Sequence, residues 1–130
     1  MVGIVILGHG QVAPALLATG EMIVGPQEQL TAVSFEADVD LDVYRKNVAE
    51  AAQKVDTGDG VLFLADLKGG TPCNTAVMIA YEKNYRVVSG VNVPMLVALA
   101  LSRQGMDMDA LTEVAKGAGI EGVEDVRLEV

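Results

Sequence analysis

The chain has 130 residues and a mass of 13.6 kDa, which suits one domain (1–130) whose core can fold without metals or disulfides. Hydrophobic residues make up 51% and charged ones 21%, excluding a disordered chain, and 9 Lys+Arg against 18 Asp+Glu give a net charge of -9. That charge argues against nucleic acid as a partner and favours basic protein faces.

Cys73 is the only cysteine and His9 the only histidine, so an intrachain disulfide, a cysteine-rich metal site and the His-based zinc sets are all excluded. No basic leader precedes the first apolar run. The longest apolar stretch, Val93 to Leu101, falls far short of the ~20 residues of a membrane span. A soluble, cytoplasmic protein without metal or cofactor is expected.

Val2 to Leu7 is a continuous apolar run ending in Gly-His-Gly, as in a strand buried on both faces. Pro14 to Val24 fits a helix stopped by Gly25 and Pro26, and Leu30 to Phe35 a second strand. Leu41, Tyr44, Val48, Ala51, Ala52 and Val55 carry the spacing of an amphipathic helix, ended by Gly58 and Gly60. A third strand follows at Val61 to Ala65, a helix at Pro72 to Tyr81, a fourth strand at Tyr85 to Ser89, and a mostly apolar helix at Pro94 to Arg103. Asp107 or Asp109 can cap a last helix reaching Lys116, and Val126 to Val130 can form a final short strand. The alternation predicts an α/β three-layer sandwich. Its central sheet is mainly parallel and covered by helices on both faces, with an antiparallel edge strand at the C-terminus. That terminal strand, set apart by Gly117, Gly119 and Gly122, can pair with a sheet edge in its own subunit or a neighbour's, and a homodimer is expected.

In such a sheet, ligands gather outside the carboxyl ends of the strands. Those ends carry Gly8-His9-Gly10, then Asp66-Leu67-Lys68-Gly69-Gly70-Thr71-Pro72, then Gly90-Val91-Asn92-Val93-Pro94. Any one of these loops is explained by glycine in a tight turn. Three of them on one edge, with a histidine and an aspartate, point to chemistry. Imidazole can act as nucleophile, base or phosphoryl acceptor, and Asp66 can fix its tautomer by accepting from one ring nitrogen. Asp66 can equally serve only to cap a turn. Thr71-Pro72 reads as an N-cap with proline at the first helical position, directing the amides of Cys73 and Asn74 toward an anion. Gly69 and Gly70 leave room for a bulky group. Cys73 has no second histidine to activate it and reads as a small buried residue.

Gly8, Gly10 and Ala13 also fit the G-x-G-x-x-A spacing of a dinucleotide fold, with Glu36 as the ribose acid. The chain is short for that use, and the match leaves the Asp66 to Pro72 loop without a role. No Walker A loop occurs.

On Gly8-His9-Gly10, Glu21-Met22-Ile23-Val24-Gly25, Asp66 through Asn74, and Gly90 through Leu96, the chain resembles the enzyme IIA domain of the mannose family of the sugar phosphotransferase system. The resemblance spans nearly the whole chain. It implies that His9 accepts a phosphoryl group from the phosphocarrier HPr and passes it to a IIB protein. IIB then phosphorylates a sugar entering through IIC and IID membrane subunits. It implies further that Asp66 orients and supports the imidazole and that Thr71 hydrogen-bonds the phosphate. Gly8, Gly10, Gly69, Gly70, Cys73, Asn74 and Asn92 would form the phosphate and partner loops. Two features depart from the family pattern: Cys73 stands where an aromatic is common, and no fused IIB segment is visible, so a separate acceptor is expected. Apart from His9, Val2 to Gly20 and Gly69 to Tyr81 contain no acidic or basic side chain, a rim that suits transient protein docking. The alternatives are a regulatory module, in which phospho-His9 signals sugar supply without onward transfer, and a small nucleotide-binding domain.

Overall fold

The computed structural model describes residues 1–129. The chain runs β1 (Gly3–His9), α1 (Val12–Val24), β2 (Leu30–Phe35), α2 (Leu41–Val55), β3 (Val61–Ala65), α3 (Thr71–Lys83), β4 (Arg86–Ser89), α4 (Val93–Ser102) and α5 (Met108–Glu121). The four strands form one sheet in the order β2-β1-β3-β4, with every pairing parallel.

Side-chain alternation in β1 and β3 feeds two cores. Ile4, Ile6, Leu62, Leu64 and Val88 face α1, α4 and α5, where Ala13, Leu96, Leu99 and Leu111 meet them. Val5, Leu7, Val61 and Phe63 face the opposite way, onto Tyr44, Val48 and Ala52 of α2 and Ala76 and Ala80 of α3. The result is three layers. The two central strands are apolar throughout because both of their faces are covered.

Where the boundaries differ from the sequence reading, the reasons are local. α1 starts two residues before Pro14, since proline in a first turn gives up an N–H that has no helical partner anyway. α5 continues past Gly117 to Glu121, because Gly119 sits so close to Met95 that a Cβ there would lie 2.8 Å from Met95 Cε. Asp107, not Asp109, caps α5, accepting from Ala110 N at 2.8 Å, while Asp109 pairs with Arg86.

The expected C-terminal strand is not seen. Residues 123–129 have no regular structure, and Val130 lies outside the described residues. The tail leaves the body after Gly122, with Val126 and Leu128 exposed and no ladder partner. Among the described residues, no helix is long and apolar enough to cross a membrane.

Candidate functional site

From β1 the chain crosses to β2 on one side; β3 and β4 extend the sheet on the other. That reversal opens a crevice outside the carboxyl ends of β1 and β3. His9 is the last residue of β1, and Asp66 follows β3 directly, its N–H still bonded to Leu7 O at 3.1 Å. The strand register therefore brings together two residues that lie 57 apart in sequence.

Asp66 Oδ2 accepts twice from His9, from the backbone N–H at 2.9 Å and from Nδ1 at 2.9 Å. Burial pushes the Asp66 carboxyl up, but the amide, the ring hydrogen bond and the attraction of His9, with the Leu67 amide, outweigh it and hold the group below its ordinary range. Asp66 is thus an anion and can only accept, so Nδ1 carries a ring proton, and in the neutral ring the lone pair is on Nε2. The His9 side chain is 47% exposed against 18% for Asp66, so the ring reaches solvent while the carboxylate it pairs with is shielded. Phe35, paired with His9 in the β1–β2 register, packs edge-on to the ring at a centroid distance of 5.7 Å.

Two glycines make this approach possible. A methyl group at Gly8 would lie 3.3 Å from Asp66 Cγ and crowd the carboxyl. One at Gly70 would lie 2.8 Å from His9 Cε1 and 3.4 Å from Nε2. The Cε1–Nε2 edge of the ring therefore faces Gly70 across a gap that only glycine leaves open. Gly70 is the N-cap of that helix and offers no capping side chain, so no side chain competes for its first-turn amides.

This corrects the expected role of Thr71. It is not the N-cap but the first residue inside α3, with Pro72 after it, and its hydroxyl makes no capping bond. The left-handed Gly69 (φ 86) turns the loop one residue earlier than the Thr-Pro pair suggests. Cys73 is buried, and Asn74 Nδ2 braces the loop by donating to Gly69 O at 3.1 Å. Gly10 N–H is held by Phe35 O at 2.8 Å.

Asn92 does not join the site through its side chain. Its Oδ1 caps α4 at Met95 N and its Nδ2 donates to Gly119 O at 2.9 Å, so both ends of the amide are in use. Glu36, the acid a dinucleotide would need, accepts from Gln11 Nε2 at 2.6 Å. The Gln11–Glu36 brace and the Phe35 contact were not evident from the sequence. The only available signal was that residue 35 ends the strand neighbouring His9.

A family model described as the PTS system fructose IIA component matches residues 3–116. The chain is 38% identical over 128 residues to the mannose-specific EIIAB component of Escherichia coli K12, covering 97% of this chain and 40% of that protein. It thus spans less than half the length of that relative. It is 31% identical to the fructose-specific EIIA component of Bacillus subtilis 168, covering 85% of this chain and 77% of that one. Among solved structures, the mannose/sorbose specific IIA subunit of the phosphotransferase system from Enterococcus faecalis is similar with a TM-score of 0.88 and 32% identity, covering 99% of this chain and 97% of that one. With the parallel sheet and the strand-end histidine in place, the chain belongs to the fructose/mannose IIA family of sugar phosphotransferase system components.

Proposed function

We propose that this protein is a phosphocarrier that takes a phosphoryl group from phospho-HPr onto His9 Nε2 and hands it to a separate IIB protein. The observation that carries the reading is the Nδ1–Asp66 Oδ2 bond of 2.9 Å, which leaves Nε2 as the exposed lone pair. In the forward step this lone pair attacks phosphorus. The bond from phosphorus to the donor imidazole breaks, and its electron pair stays on the donor. No proton has to move, because Nδ1 keeps its hydrogen and the positive charge growing on the ring is balanced by Asp66.

The equatorial oxygens would meet the α3 N-terminus, where first-turn amides and the helix dipole favour negative charge. Thr71, in the first turn and making no capping bond to its own helix, would offer its hydroxyl to the phosphate. Relatives are named for mannose, fructose and sorbose, and on this reading the site handles a phosphoryl group, not the sugar. The reading places the protein in the cytoplasm as one IIA domain over residues 1–130, acting for IIC and IID subunits through IIB.

A homodimer is part of the proposal. The outer side of β4 borders a groove of about 610 Å³ whose apolar lining is Val88, Met95, Gly119, Ile120 and Val123 with Lys116 at its edge, and the exposed Val126 and Leu128 of a second copy's tail would fill it, with the charged residues beside them left at the rim. Incubation with phospho-HPr followed by intact-mass measurement tests the carrier role. One added phosphoryl group, lost again when a IIB protein is supplied, is expected. A protein that stays unmodified, or keeps its phosphate in the presence of IIB, contradicts the reading.

A further inference from the structure

Two buried polar atoms on the α2 side of the sheet have no hydrogen-bond partner in the protein: the Tyr44 hydroxyl and Asp66 Oδ1. One is a donor, the other an acceptor. Tyr44 is fully enclosed, its ring edge-on to Phe35 at 4.8 Å, and Phe35 is in turn edge-on to His9. Burial first, and then the negative charge of Asp66, push the Tyr44 phenol above its ordinary value, so the hydroxyl keeps its proton and can donate. A phenylalanine would fill the same apolar place without enclosing an unpaired hydroxyl, which is costly to bury.

We infer that Tyr44 is a positioning residue for the His9–Asp66 couple, its hydroxyl donating across one bridging water to Asp66 Oδ1 and fixing the carboxylate plane that keeps Oδ2 on His9. Oδ2 is already held by two bonds from His9. A donor on Oδ1 stops the carboxyl from turning about its Cβ–Cγ bond, so the imidazole keeps one orientation as charge builds on it. The titratable groups facing Asp66 are His9 from β1 and Tyr44 from α2. The phenol stays neutral wherever Asp66 ionises, so it acts as a donor and never as a like charge. The inference deepens the phosphocarrier reading and rests on it.

The test is Tyr44→Phe, read by carbon NMR of the Asp66 carboxyl and nitrogen NMR of the His9 ring in the unphosphorylated protein. The Asp66 titration is expected to move up by about one pH unit, a roughly tenfold change in its ionisation equilibrium. The fraction of ring carrying its proton on Nδ1 falls. Loss of stability with both signals unchanged would mark a merely structural tyrosine and overturn the inference. Should the Phe variant fail to fold, 3-fluorotyrosine incorporated into the unmutated sequence decides. Its stronger phenolic donor should move the Asp66 titration down, and an unmoved titration overturns the inference. Neither measurement uses HPr. A wild-type protein that refuses phosphate would sink the carrier reading, whereas an unchanged Asp66 titration in a competent carrier sinks this inference alone.

Discussion

Asp66→Asn keeps the shape of the side chain at the end of β3 but removes the negative charge, and its amide no longer dictates which ring nitrogen carries the proton. Phosphoryl uptake from phospho-HPr, followed by rapid quench, should slow by up to ~10⁴-fold, the scale seen when an orienting aspartate is neutralised in this way. The pH dependence follows from the sign of the Asp66 shift. Its carboxyl is held below the ordinary range in the folded protein. The stability it contributes is therefore complete above about pH 4 and disappears as pH falls through the folded value. In urea unfolding, the difference between wild type and Asp66→Asn should shrink over that acid window and stay level above it. Gly70→Ala probes the other side of the ring, since its methyl would sit 2.8 Å from His9 Cε1. A folded variant with uptake reduced at least tenfold is expected, and wild-type uptake would show that the Gly70 gap is not needed. His9 and Asp66 were legible because each ends a buried apolar strand. Thr71 misled because a Thr-Pro pair looks like a cap, whereas the turn at Gly69 moves that role to Gly70. Tyr44 was hidden, since an aromatic at apolar helical spacing reads as core and nothing in that spacing marks a hydroxyl buried without a partner.

Among the elements, α2 places Tyr44, and its start rests on Asp40, whose Oδ1 accepts from Val43 N at 3.1 Å. Asp40→Ala should cost about 1 kcal/mol in urea unfolding. A change near zero would mean that packing alone sets the helix start. Strands and helices were readable in order and nearly in extent, because the continuous apolar runs of β1 and β3 and the spacing of α2 each have one structural explanation. Arg103 was not readable. Placed by the sequence at the end of an apolar helix, it is 1% exposed and donates to the carbonyls of Glu28, Val2 and Gln29 at 2.6, 2.7 and 2.9 Å. No sequence pattern announces an arginine that closes the amino end of a sheet, because its partners are backbone oxygens from three distant segments.

For the whole molecule, the order β2-β1-β3-β4 explains where the proposed site lies: the reversal at β1 and β3 opens a crevice at their carboxyl ends, where His9 and Asp66 meet. The alternation of elements revealed a parallel sheet but not this order, which depends on long-range pairing. The terminal strand was overread for a related reason. The alternating segment Val126-Arg127-Leu128 has strand character, yet a strand exists only where a ladder partner does, and within one copy residues 123–129 have none. If the β4 groove takes a second copy's tail, light scattering at micromolar concentration should give twice the 13.6 kDa mass. Truncation after Gly122 should give a monomer; a full-length monomer contradicts the dimer.

The atom proposed to carry phosphate is His9 Nε2. The most direct measurement is phosphorus–nitrogen coupling in the protein labelled with ¹⁵N-histidine and phosphorylated by phospho-HPr. The account predicts a phosphoramidate on Nε2 with Nδ1 still protonated, and no signal in His9→Gln, which has no other imidazole. Phosphate on Nδ1, or a phosphorylated His9→Gln protein, would contradict it.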